Sequence, residues 1–146
     1  MSDVAGIIIL IGRILFVIFP AYVSGYSFHL KASKMSEGYA QSVGFPMPGL
    51  AGWPAGVWLV LASISIALGI WPDVGALMMA AFVIPAGWYF HRFWEVEDPN
   101  QKQAQTMFFY RNVMILAASL IMFGFFASVG EGLRFAVTGS LFDLSP

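Results

Sequence analysis

A transmembrane all-α bundle is the fold class this sequence predicts, and three observations carry the prediction. Hydrophobic residues make up 59% of the 146 positions and charged residues only 10%, against roughly a quarter charged in ordinary soluble domains. The apolar residues gather into four runs, about 4–28, 54–71, 74–92 and 108–129, each near the ~20 residues an α-helix needs to cross hydrocarbon. The third run ends in Pro85-Ala-Gly-Trp-Tyr-Phe-His-Arg-Phe-Trp94, where aromatic rings give way to charge, as they do where a helix leaves a bilayer. Four spans fill a chain of this length, so residues 1–146 read as a single integral membrane domain with short interfacial segments.

The first run, Val4 to Phe28, lacks the basic leading region and small-residue cleavage site of a signal peptide and reads as a retained span. Its 25 residues cover roughly 37 Å, enough to cross with tilt. Arg13 then falls inside the bilayer, and helical steps of about 100° place Arg13, Pro20, Ser24, Ser27 and Lys31 on one stripe that should face the bundle interior. Pro20 is a kink candidate. The connection from His29 to Trp53 predicts a short interfacial helix over Ser33 to Val43, because Met35, Tyr39 and Val43 recur at helical spacing; Pro46 and Pro48 then force an extended approach to the second span.

In the second span Gly52, Gly56 and Ser63 lie near one face and allow close helix packing in lipid. A very short turn at Trp71-Pro72-Asp73 makes spans two and three antiparallel neighbours. Span three carries a second kink candidate at Pro85. The fourth span begins near Phe108, with Arg111 and Asn112 at its start, although Gln101 to Met107 can begin that helix early. The tail after Gly132 is too short to cross again and is expected in the interface or against the bundle.

Charge and cysteine content exclude several classes. The net charge is −1 and the seven Lys and Arg are scattered, so no nucleic-acid partner is expected, since neutralising phosphates needs clustered bases. With no cysteine, disulfides, thiolate-bound iron–sulfur clusters and four-cysteine zinc sites are excluded, and neither a third histidine nor an inward carboxylate is at hand for a metal. Lys31, Lys34, Arg92, Lys102 and Arg111 flank the two long connections, whereas the opposite side holds Arg134 alone apart from the intramembrane Arg13. The positive-inside rule therefore places both long connections in the cytoplasm and both termini outside.

Candidate ligand-binding residues are Arg13, His29, Trp88, His91, Arg92, Arg111 and Asn112. An ionisable residue inside the membrane is a functional candidate by default, yet Arg13 beside a proline kink also suits bonding of freed backbone carbonyls. His29 and His91 close spans one and three on the same side, hence at similar depth. A haem held between them is disfavoured, because two level histidines arise by accident in any four-span protein. His91, Arg92 or Arg111-Asn112 bonding a quinone carbonyl, with Trp88, Tyr89 or Phe93 over the ring, competes with a plain aromatic belt and snorkelling bases. No catalytic residue and no covalently bound cofactor is expected; quinone or lipid is the candidate ligand.

Gly12-Arg13, Ser24-Gly25 with His29, Gly44-Phe45-Pro46-Met47-Pro48, Gly69-Ile70-Trp71-Pro72-Asp73, His91-Arg92-Phe93-Trp94 with Asp98-Pro99 and Gln103, and Arg111-Asn112 together resemble the DoxX family of small four-span bacterial membrane proteins. The resemblance implies a four-helix bundle in the bacterial inner membrane, related to membrane subunits of thiosulfate:quinone oxidoreductase and, in some members, to redox-protection complexes. Many members carry a Glu in span two where this chain has Leu59, which favours an accessory role over autonomous catalysis. The expected function is a non-catalytic accessory subunit of a larger membrane electron-transfer complex, with other subunits and lipids as partners. The alternative is a quinone-linked oxidoreductase component whose polar pocket is built by Arg13, His29, His91 and Arg111.

Overall fold

The computed structural model describes residues 1–144 and is all-helical among them. Helix α1 (Asp3–Ile18) is capped by Ser2, whose hydroxyl accepts from the Ala5 N–H. It continues without a break into a π-helical segment, Phe19–Lys31. The short α2 (Ser33–Ser42) follows, then α3 (Trp53–Leu68), α4 (Pro72–Phe90) and α5 (Pro99–Val129). Three helical stretches, Asp3–Lys31, Pro72–Glu95 and Pro99–Gly132, are long and apolar enough to cross a membrane. The apolar α3 is shorter, at 16 residues, about 24 Å at the rise of an α-helix.

The segment after Phe19 departs from the expected kink for a physical reason. Pro20 has no N–H, so the carbonyl four residues earlier loses its partner, and the chain answers with wider turns bonded five residues apart. The wider turn breaks the 100° register on which the predicted stripe rested. Pro20, Gly25 and His29 are the buried residues of the segment, while Lys31 at its end is exposed. Span one thus runs to Lys31 rather than Phe28, and His29 sits inside its last turn instead of opening the connection.

Two other boundaries differ from expectation. The α3–α4 turn is Gly69 to Trp71: Gly69 takes φ +66°, the left-handed conformation that ends a helix at least cost in glycine, and Pro72 and Asp73 belong to the first turn of α4, where proline's fixed φ suits the start. Helix α5 begins at Pro99, with Asp98 accepting from the Gln101 N–H at 2.8 Å, because an acidic cap followed by proline is a stronger start signal than the onset of hydrophobicity. The predicted short helix is present as α2. Its Ser33 hydroxyl accepts from the Trp53 N–H at 3.0 Å and donates to Glu37, which ties the connection to the start of α3. Hydrogen bonding to Lys34 holds the Glu37 carboxyl below its ordinary range.

The π-helical segment packs on α3, α3 on α4, and α4 on α5. Val17, Leu59, Ala62, Ile66 and Met79 form the core. Gly56 permits a close approach of α3 to the π-helical segment: a Cβ there would fall 2.9 Å from the Gly25 carbonyl oxygen and into Leu30. The tail runs across the end of the bundle where the chain begins. Val137 and Thr138 N–H groups donate to the Leu68 and Gly69 carbonyls at 3.1 and 3.0 Å, the buried Asp73 accepts from the Phe142 N–H at 2.7 Å, and Arg134 pairs with Asp3. The tail, as far as it is described, therefore lies against the bundle at the end where the chain begins.

Gly56→Val should lower stability by about 1–3 kcal/mol through overpacking, read as a drop in the thermal midpoint in detergent. Gly124→Ala, where nothing lies within 4 Å of the new methyl, should be neutral or slightly stabilising.

Candidate functional site

A cavity of about 600 Å³ lies between the π-helical segment, α3, α4 and α5. Both mid-helix prolines, Pro20 and Pro85, line it, and most of its wall is apolar: Phe28, Trp58, Leu59, Met79, Phe82 and Ile115 among others. Into this wall project four of the predicted candidates, His29, His91, Arg111 and Asn112.

His29 is buried and its Nδ1 lies 2.5 Å from the Ala51 carbonyl oxygen. Ala51 closes the 3₁₀ turn Pro48–Ala51, so its carbonyl is released from helical bonding. A carbonyl only accepts, hence Nδ1 carries the hydrogen and donates. The ring meets Phe28 and Phe82 edge-on at 5.0 and 5.5 Å. His91, just past the end of α4, has Nδ1 2.9 Å from the Gln105 side-chain oxygen of α5 and its ring 5.4 Å from Phe108.

Arg111 spreads its guanidinium over the rings of Phe19 and Phe108, 4.7 and 5.0 Å from their centroids, a cation–π sandwich that holds the charge in an apolar wall. Its Nε and the Nδ2 of the buried Asn112 have no hydrogen-bond partner among the described residues. Two donors held dry and unpartnered are costly to leave unmade. The residues lining the cavity thus bring polarity from two sides: the His29 imidazole from the π-helical segment, and Arg111 and Asn112 from α5. A more polar recess of about 430 Å³ adjoins it at the loop end, sharing Tyr39 and Phe90 and lined also by Arg92, Glu95 and Gln105.

The remaining three candidates lie elsewhere. Arg13, only 2% exposed, is at the opposite end, where its Nη2 donates to the Phe135 carbonyl of the tail at 2.5 Å. Trp88 is 59% exposed and stacks near Trp94 on the outer surface. Arg92 donates through Nε to the Trp88 carbonyl at 3.1 Å, approaches Glu95 at 3.6 Å and covers the Tyr89 ring. These two form the aromatic and basic belt. Residues missed from sequence include Gln105, which orients His91, and the cavity-lining Tyr39 and Trp58, whereas Ser24, placed on the inward stripe of span one, does line the cavity. A signal for Gln105 exists: Gln105, Phe108, Asn112, Ile115, Ser119, Met122 and Phe126 recur at steps of three and four, and Asn112, Ser119 and Phe126 are buried. That stripe is visible once α5 is started at Pro99.

A helical membrane bundle enclosing an amphiphile-sized cavity with imidazole, guanidinium and amide groups is the class of protein defined by this geometry. A family model described as DoxX matches residues 8–92, and the chain belongs to that family. The match takes in α1 through α4, so the cavity wall supplied by α5, with Arg111 and Asn112, lies beyond it. No curated protein and no solved structure gives a match.

Arg13→Ala should leave cavity contents unchanged within about twofold and act on the tail instead. Amides of Val137, Thr138 and Phe142 should exchange with deuterium about tenfold faster, the loss of roughly one charge-assisted hydrogen bond.

Proposed function

We propose that this membrane protein holds a quinone in its cavity as a component of a larger electron-transfer assembly. The observation that supports this reading most is the convergence of His29, His91, Arg111 and Asn112 on one largely apolar cavity of about 600 Å³, with Arg111 Nε and Asn112 Nδ2 still unpartnered. An apolar pocket with a few convergent polar groups is the ordinary form of a small-ligand site. A quinone suits it because its carbonyls accept hydrogen bonds, its ring packs against Phe and Trp faces, and its hydrocarbon substituent matches the surrounding lipid. Imidazole, guanidinium and amide groups bind and orient a ligand but carry no electrons, so a partner chain supplies the redox equivalents.

The second reading is an accessory subunit that packs against other membrane chains without a ligand of its own. One observation favours it: α1 leaves Ile7, Ile8, Ile11, Leu15 and Ile18 exposed along its length, a smooth apolar face suited to a partner helix as well as to lipid. Leu59, in the cavity wall where the family resemblance implies a Glu, also supports an accessory role over autonomous catalysis.

Extraction in a mild detergent, followed by mass spectrometry of bound small molecules and an absorption spectrum, tests the choice. Quinone is expected at near-stoichiometric amounts. Arg111→Ala should reduce its retention about tenfold or more, the worth of a charge-assisted hydrogen bond, and Trp88→Ala should leave it unchanged. A haem absorption band would replace the ligand assignment, and a quinone-free chain isolated with other subunits would favour the accessory reading.

A further inference from the structure

Hydrogen-bond polarity divides the cavity. We infer that it prefers the reduced, hydroxyl-bearing form of a 1,4-quinone to the oxidised, carbonyl-bearing form, and that His29 sets the preference; this rests on the quinone reading above.

The argument begins from what each polar atom is free to do. The His29 Nδ1–H is committed to the Ala51 carbonyl, which has no hydrogen to offer in return. A neutral imidazole with its hydrogen on Nδ1 has only a lone pair at Nε2, so toward a ligand His29 accepts and does not donate. On the α5 wall the polarity is reversed. The Arg111 guanidinium carries donors alone and its Nε has no partner among the described residues, while the Asn112 amide, whose Nδ2 is likewise unpartnered, can turn its nitrogen to the same use. His91 imposes no such polarity, because its partner Gln105 is a side-chain amide that can turn either its oxygen or its nitrogen toward the ring.

A quinone in this frame has two acceptor oxygens. One can take the Arg111 and Asn112 donors, but the other meets the lone pair of His29 with no hydrogen between them. A hydroquinone matches both walls, since one hydroxyl donates to His29 Nε2 while the oxygen of the other accepts from α5. His29 is 6% exposed, so an unmatched acceptor there has little water to turn to, and sites built around buried polar groups reject analogues that leave those groups unpaired. The preference is one of binding alone and requires no electron transfer.

The test uses the full chain in phosphatidylcholine nanodiscs without oxygen. Retention of a decyl-substituted 1,4-benzoquinone, of its hydroquinone and of the hydroquinone dimethyl ether is measured against empty nanodiscs. The wild type should bind the hydroquinone about tenfold more tightly than the quinone, and the dimethyl ether, which cannot donate, no better than the quinone. His29→Gln, whose amide can donate as well as accept, should bring the ratio within about twofold. His29→Phe, which keeps the ring contacts with Phe28 and Phe82, should weaken the hydroquinone alone; circular dichroism checks that both variants fold. Equal binding of the two redox forms by the wild type, or a preference for the quinone, would overturn this inference while leaving quinone binding intact. A ratio unchanged in a folded variant would remove His29 from the assignment, and failure to retain any of the three compounds would overturn both this inference and the function proposed above.

Discussion

Hydrocarbon offers no hydrogen-bond partners, so a chain crossing it must satisfy its own backbone, and helices are the available answer for a sequence of this kind. Proline is the residue that strains the solution, because each one inside a helix strands a carbonyl. This chain places Pro20 and Pro85 in the interiors of two packed spans, and both line the cavity. The widened turns of Phe19–Lys31 follow from the first of them. Such π-helical turns shift the side chains beyond them, here bringing Gly25 and His29 to the buried face. The cavity lies where one helix widens after Pro20 and another carries Pro85 within a continuous α-helix, and the widened segment brings His29 to its wall.

The two intramembrane arginines show how far neighbours decide what a residue does. Each carries a charge that is expensive in an apolar medium. Arg13 is buried beneath the tail and donates to the Phe135 carbonyl, 122 residues away in sequence, while the tail itself is bound to the ends of α3 and α4 through Val137, Thr138 and Phe142. Its guanidinium is part of the closure of that end. Arg111 instead lies over two phenylalanine rings, which accommodate its charge without using its N–H groups. Both arginines keep buried N–H groups without a partner among the described residues, Nε and Nη1 of Arg13 and Nε of Arg111, so what separates them is the neighbour that holds the charge: a tail carbonyl for one, aromatic faces for the other.

Most of the fold was legible because membrane spans are written in composition and length. The four apolar runs and the short helix after span one follow from local patterns, and both histidines reach one cavity. What sequence could not supply depends on the backbone leaving its regular course or on distant contacts. The 100° stripe from Arg13 still reaches the cavity at Pro20 and Ser24 but ends exposed at Lys31, since it assumes one helical pitch throughout. The grouping of Arg13 with His29 and His91 fails in the structure because depth in the membrane is not read from spacing alone, and a tail 120 residues downstream was needed to place it. Trp88 and Arg92 were chosen for chemistry that suits a ligand equally well from outside the bundle; only the face of α4 distinguishes them from Asn112. The early start of α5 was available in Asp98-Pro99, and taking it would have exposed the inward stripe from Gln105 to Phe126.

The walls of the cavity differ in kind, and that difference constrains what fills it. From α3 it receives Ala55, Trp58 and Leu59, with Leu59 standing where the family resemblance implies a carboxylate, so this wall is apolar and uncharged. Polarity enters from Ser24 and His29 of the π-helical segment, Tyr39 of α2, His91 after α4, and Arg111 and Asn112 of α5. A ligand wholly polar would leave the α3 wall unmatched, and one wholly apolar would leave Arg111 Nε and Asn112 Nδ2 without partners in a dry site, each at a cost of about 1–3 kcal/mol. The cavity's chemistry, more than its size, is therefore what the quinone reading proposed above rests on: an amphiphile answers an apolar α3 wall and a polar α5 side at once.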